Sequence, residues 1–168
     1  MTFLDDKLFK LIVSNTPLFS IDIVLLNEKN EILTGLRKNP PAKNFWFLPG
    51  GRVKKNQTLE EAFCEITKSE LGKCLKYENS TLLGLHEHLW SDSIYGDDIS
   101  THYINAPMMI KKEQSYFDLP DNDAQHSGYK WTKWNEFEKD PSIHSMSKLF
   151  IPEFVRLNNL QDIVLQNI

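Results

Sequence analysis

A chain of 168 residues, 40% hydrophobic and 25% charged, fits one globular domain over its whole length, and a formal net charge of −4 argues against a nucleic-acid-binding surface. The first ten residues carry Asp5 and Asp6 where a secretory signal needs a basic start, and no apolar run approaches membrane-spanning length, so a cytoplasmic protein with no membrane partner is expected. Cys64 and Cys74 have neither metal-ligand spacing nor a neighbouring His, and read as two packing residues.

Leu4, Leu8, Leu11 and Ile12 recur at helical spacing between Thr2 and Ser14, which predicts an amphipathic N-terminal helix with Thr2 as its cap. Thr16-Pro17 ends it. Leu18 to Leu26 and Glu31 to Arg37 are β-rich runs about a polar Asn-Glu-Lys-Asn turn, a hairpin that carries Asp22 in its first strand among Phe19, Ile21, Ile23 and Val24. A loop with Pro40 and Pro41 leads to a strand over Phe45 to Leu48.

The stretch Phe47 to Gly72 organises the rest: an apolar run, a Gly50-Gly51 turn, a short basic segment with Arg52, Lys54 and Lys55, then a helix opened by the capping-box pair Thr58 and Glu61 and stopped by Gly72. At 100° per residue Leu59, Ala62, Phe63 and Ile66 share one side, and Glu70 falls in the middle of that stripe while Glu60, Glu61, Glu65 and Lys68 lie opposite. A carboxylate turned inward needs a cation, and the nearby basic residues suit a phosphate, so a charged small molecule is the expected ligand. The alternative at Glu70 alone is a last-turn side chain that escapes to water.

Two further strand-like runs, Ser80 to Trp90 and Ser100 to Lys112, carry His88 and Tyr103 and flank a polar loop. A long loop rich in Asp and Ser follows, with Gln125-His126 as its chemical pair, and then a strand over Tyr129 to Trp134. Ser145 to Leu157 has helical spacing, with Pro152 marking a kink or a helix start. Strands around one central helix, with a second helix closing the domain, predict an α+β fold, a mixed sheet between helices with an extra helix at the N-terminus.

The organising stretch resembles a Nudix box, which runs Gly, five residues, Glu, seven residues, Arg-Glu-apolar-x-Glu-Glu-x-Gly. Gly51, Glu70 and Gly72 fit in register, whereas Gln57 replaces the first Glu, Glu65 the Arg, Ile66 the second Glu, Thr67 the apolar residue and Ser69 the third Glu. The loss of box carboxylates with the last one kept, together with the late Gln125-His126, is similar to the GDP-mannose mannosyl hydrolases, an unusual Nudix branch; the likeness runs from about Phe3 to Phe154.

That resemblance implies a homodimeric hydrolase that splits GDP-mannose, or GDP-glucose as a second candidate, into GDP and free sugar by attack of water at the anomeric carbon with inversion. It implies one Mg²⁺ per subunit, replaceable by Mn²⁺, on the Gly50 carbonyl, Glu70 and Gln125, with His126 as general base and Arg37, Arg52 and Tyr103 stabilising the departing GDP. Asp22 and His88 would line the sugar side, and Phe3, Leu4 and Phe9 would contact guanine across the dimer. Read without the resemblance, His88 and Tyr103 are satisfied core polar residues and Gln125-His126 an ordinary loop dipeptide. The rival functions are a pyrophosphohydrolase attacking phosphorus and a nucleotide-sugar sensor without chemistry.

Overall fold

The computed structural model describes residues 4–117, 119 and 125–166, the side chains of 160–166 excepted. The first helix, α1 (Asp6–Asn15), is capped by Asp5, whose side chain accepts from the Lys7 and Leu8 amides; the expected cap Thr2 lies outside the described residues, as does Phe3.

Strand β1 (Leu18–Leu26) is the axis of the sheet. Its alternation sends Ile21, Ile23 and Leu25 to one core and Val24 and Leu26 to the other, so the strand is buried on both faces as a central strand must be. Along one edge it runs parallel to β7 (Thr101–Lys111), from Leu18 opposite Tyr103 to Leu26 opposite Lys111. The other edge is divided. Strand β4 (Gly50–Arg52) pairs antiparallel with Ser20, Ile21 and Asp22, whereas β2 (Glu31–Arg37) meets β1 only where Leu26 faces Ile32. Beyond that point β2 pairs with β3 (Trp46–Phe47) and with β8 (His126–Lys133), leaving Asp22 and Arg37 on strands that have parted. Strands β5 (Thr81–Leu82) and β6 (His86–Trp90) pair with β7 and extend the sheet on its far side.

Helices cover both faces. On one side α2 (Leu59–Leu71) packs Ala62, Phe63, Ile66 and Leu71 against Ile21, Ile23, Ala106 and Met108. Both caps of α2 follow the sequence reading: Thr58 and Glu61 satisfy each other's backbone amides, and Gly72 stops the helix with a left-handed φ of 76°. Leu59, placed in the inward stripe, is instead 43% exposed, because the first turn projects past the core. On the other side Phe137 of α3 (Trp134–Phe137) and Phe154 of α4 (Ile151–Gln166) join Phe150, Phe47 and Leu83. Pro152 lies in the first turn of α4, a helix start with no kink.

The structure corrects two other expectations. Cys64 and Cys74 are joined in a disulfide, Cα atoms 4.5 Å apart, because Gly72 turns the chain back on α2 and Thr67 Oγ1 accepts from the Leu75 amide at 3.0 Å. A stable bridge is uncommon in a reducing cytosol, which sets it against the cytoplasmic expectation. His126, assigned to a loop, begins β8 opposite Arg37. Among the described residues no helix is long and apolar enough to cross a membrane.

Candidate active site

The divergence of β1 and β2 leaves a cleft of about 480 Å³, open mouth included, lined by Ser20, Asp22, Arg37, Arg52, His88 and Tyr103 and floored by Phe47 and Trp90. Five residues expected to meet substrate are therefore brought to one place from β1, β2, β4, β6 and β7.

Asp22 is 6% exposed on a strand with neighbours on both edges, so it is no edge-strand charge. Burial pushes its carboxyl up to about 7, against the opposing pull of the Asn105 side chain and the Arg37 charge. Its Oδ2 is buried without a hydrogen-bond partner. A buried acceptor in that state is costly unless a ligand hydroxyl or amine completes it. His88, edge-on to Phe47 with ring centroids 6.1 Å apart, is held down to about 4 by burial and the nearby His86 and His144, so it is neutral at physiological pH. Burial lowers the Arg37 pKa, and the charges of Asp22, Glu70 and Tyr103 counter the shift; Arg37 Nε donates to the Pro41 carbonyl at 2.9 Å. Tyr103 is raised, chiefly by burial, so its hydroxyl keeps its proton and can donate.

Gly50, Gly51 and Arg52 also form one wall of a second cleft, whose other side is Lys54, Gln57, Glu65, Ile66, Ser69, Glu70 and Gln125. The wall is thin by necessity. A Cβ at Gly50 would lie 2.4 Å from Asp22 Oδ1, and one at Gly51 would lie 3.0 Å from Ile66 Cγ1, so β4 fits between β1 and α2 only as backbone. Glu70 is buried at the end of α2, as its wheel position requires, and its Oε1 accepts from Gln125 Nε2 at 3.0 Å.

The donor chemistry fits a hard cation. Gly50 offers a carbonyl, Glu70 a carboxylate and Gln125 an amide, and the Gln125 NH₂ now occupies the place beside Glu70 that a cation would take; turning the amide over presents its oxygen instead. Among the described residues no three His, Cys, Asp or Glu side chains gather to hold a metal, so a carboxylate-rich cluster is not what this cleft provides.

His126 stands between β2 and β8, 1% exposed, with Nδ1 3.3 Å from the Tyr129 hydroxyl, which itself reaches the Glu70 carbonyl at 3.5 Å. Its ring lies flat over Gly35, where a Cβ would come within 2.3 Å of Cδ2 and 2.6 Å of Cγ. Gly35→Ala is therefore expected to displace the ring and to lower stability by about 1–3 kcal/mol, read as a fall in melting temperature. An unchanged melting temperature would mean that the ring yields freely.

Phe9 caps the Arg52 guanidinium of its own chain, 3.9 Å from ring centroid to Cζ, and the Phe9 ring abuts Tyr95 at 6.1 Å. The Tyr95 hydroxyl donates to Asp6 Oδ1 at 3.1 Å, tying α1 to the loop after β6. Leu4 is exposed and lines neither cleft. Sequence reasoning missed Ser20 and Asn105, whose side chains bond to each other at 2.9 Å behind Asp22. A polar residue inside the apolar run of β7 was the available signal, but its partner depends on strand register.

The NUDIX domain model matches residues 16–154. The chain is 35% identical over 129 residues to the low-salt glycan biosynthesis protein Agl8 of Haloferax volcanii, covering 77% of this chain and 79% of that one. Its fold is similar to the MutT protein of Methanosarcina mazei Go1, with a TM-score of 0.67 at 19% identity over 86% of this chain and 97% of that one. It is also similar to the NUDIX domain of Shewanella oneidensis NrtR, solved with ADP ribose, with a TM-score of 0.62 at 19% identity over 92% and 94%.

Proposed function

Since the chain belongs to the Nudix hydrolase family, we propose that it hydrolyses a nucleoside diphosphate sugar, GDP-mannose or else GDP-glucose, to GDP and the free sugar. The observation that carries this reading is the pairing of the two clefts. One holds a single buried carboxylate, Glu70, beside Gln125; the other holds a neutral His88 and an Asp22 with an unmatched acceptor, joined to the first through Gly50, Gly51 and Arg52. The first suits a diphosphate and its cation, the second the hydroxyls of a sugar. The name of the Haloferax relative, a low-salt glycan biosynthesis protein, supports a substrate of the same class.

In this reading water attacks the anomeric carbon opposite the diphosphate, the bond from that carbon to the β-phosphate oxygen breaks with inversion, and the proton goes to His126. Gly50, Glu70 and Gln125 would hold one Mg²⁺ per subunit, or Mn²⁺, which would supply positive charge to the diphosphate oxygens. Arg37 and Arg52 hold the leaving diphosphate, and the protonated Tyr103 hydroxyl donates to it as negative charge grows. Asp22 and His88 orient the sugar. Phe9, by capping Arg52, sets the direction of that guanidinium. A guanine contact by Phe3, Leu4 and Phe9 across a homodimer belongs to the same reading, although Phe9 packs on Arg52 of its own chain. Cytoplasmic residence belongs to the same reading, with the Cys64–Cys74 bridge against it.

Incubation with GDP-mannose and Mg²⁺ in ¹⁸O-water tests the reaction. GDP with label on mannose is the expected result. GMP and mannose phosphate, with the label on phosphate, would make the chain a pyrophosphohydrolase, and tight binding without products would leave a sensor. Glu70→Gln is expected to raise the Mg²⁺ concentration needed for half-maximal rate by at least about tenfold, since it removes the carboxylate of the donor set.

A further inference from the structure

Two departures from the box motif, Gln57 just before α2 and Glu65 in its middle, meet in the structure. The Glu65 carboxylate is gripped on both oxygens, Oε1 by the Lys54 ammonium and Oε2 by Gln57 Nε2. Gln57 closes the triangle, its Oε1 accepting from the Lys54 backbone amide at 2.8 Å, while its backbone N–H donates to the Lys54 carbonyl at 3.1 Å. The turn between them is tight, with Asn56 at a left-handed φ of 69°.

We propose that Lys54, Gln57 and Glu65 form a buckle of positioning residues that fastens the end of β4 to the middle of α2 and so sets the distance between the Gly50 carbonyl and Glu70. All three line the same cleft as those two groups. The inference rests on the reading of that cleft as a cation site. Gly50 is carried by β4 and Glu70 by α2; the capping box of Thr58 and Glu61 fixes the first turn of the helix, and the two bonds of Glu65 tie the connection at 54–57 to its middle. Because both oxygens of Glu65 accept from donors, the residue is committed to the buckle and is not offered as a ligand.

The buckle also gives Gln57 a definite polarity. Its amide must donate to Glu65 with one atom and accept from the Lys54 amide with the other, a task that a carboxylate of the same shape cannot perform. Gln57→Glu would set carboxylate against carboxylate. The ion pair is partly solvated, with side-chain exposures of 36% and 49%, so its loss changes overall stability little. What it changes is geometry. A role confined to folding would move the melting temperature and leave ion affinity alone; a positioning role does the reverse.

Mn²⁺ binding to the full-length chain without nucleotide, followed by electron paramagnetic resonance beside melting curves, separates these. Gln57→Glu and Glu65→Lys are each expected to weaken Mn²⁺ binding about tenfold, with melting temperatures within about 2 °C of wild type. The swap Lys54→Glu/Glu65→Lys restores the ion pair but leaves Gln57 Nε2 without an acceptor at residue 65, and is expected to bind Mn²⁺ severalfold more tightly than Glu65→Lys without reaching wild type. Tighter Mn²⁺ binding by Gln57→Glu would overturn the buckle, since residue 57 would then be facing the ion. So would a double variant no better than Glu65→Lys. Wild-type binding with all variants unchanged overturns the buckle alone, whereas no binding by the wild type overturns the cation site and the buckle with it.

Discussion

Replacing His126 by Asn is expected to cut kcat on GDP-mannose by about a hundredfold or more while leaving KM within a few-fold of wild type, as loss of a general base does. Asn is the informative choice because the ring is buried over Gly35 and Ala would leave a void there. Its amide can keep a hydrogen bond to the Tyr129 hydroxyl, which lies 3.3 Å from Nδ1. The pH–rate profile carries the second half of the test, since the variant has no imidazole to protonate and is expected to lose whatever acid limb the wild type shows. A ring only 1% exposed meets no water in this conformation, so the base role requires it to swing off Gly35 when the nucleotide sugar binds. Nitrogen-15 chemical shifts of the imidazole, with and without GDP-mannose, would register that movement. Full turnover by His126→Asn would remove the residue from the mechanism and leave it as a packing residue between β2 and β8.

The parts of this site that local chemistry fixes were legible in the sequence. Thr58, Glu61 and Gly72 mark the two ends of α2 through contacts within a turn of themselves, and Glu70 is turned inward by helix period alone. Asp22 could be suspected from its apolar neighbours. What depends on the meeting of distant strands was not legible. The sequence cannot say that β1 shares one edge between β4 and β2, and it is this division that opens the cleft between Asp22 and Arg37. His126 reads as a loop residue because the glycine that admits its ring, Gly35, and the strand partner that fixes it, Arg37, both belong to β2. Cys64 and Cys74 look unrelated until the chain reverses after Gly72. Glu65 reverses the charge of the Arg it replaces, and the donors that complement it, Lys54 and Gln57, lie in the connection before α2.

Asp22→Asn is expected to stabilise the unliganded protein above neutral pH and to disable it as a catalyst. The carboxyl titrates at about 7 in the folded chain against 3.8 when unfolded, so between those values the folded state binds the additional proton. Stability from this group is therefore fully present below about pH 4 and is lost as pH rises through about 7. Asn imitates the protonated form at every pH. The stability difference between variant and wild type should then grow from near zero at pH 4 to a plateau above pH 7, of order 2–4 kcal/mol. His88 acts oppositely, its pKa of about 4 against 6.5 making the fold lose stability as pH falls through that interval, but both proteins carry it and it cancels from the difference. Turnover should fall at least tenfold, because an amide in place of Asp22 Oδ2 turns an acceptor for sugar hydroxyls into either a donor or a weaker acceptor. A stability difference independent of pH would mean that Arg37 already compensates the ionised carboxylate in full. In that case Asp22 would be half of a buried ion pair, and the unmatched oxygen would lose its standing as a place kept for the substrate.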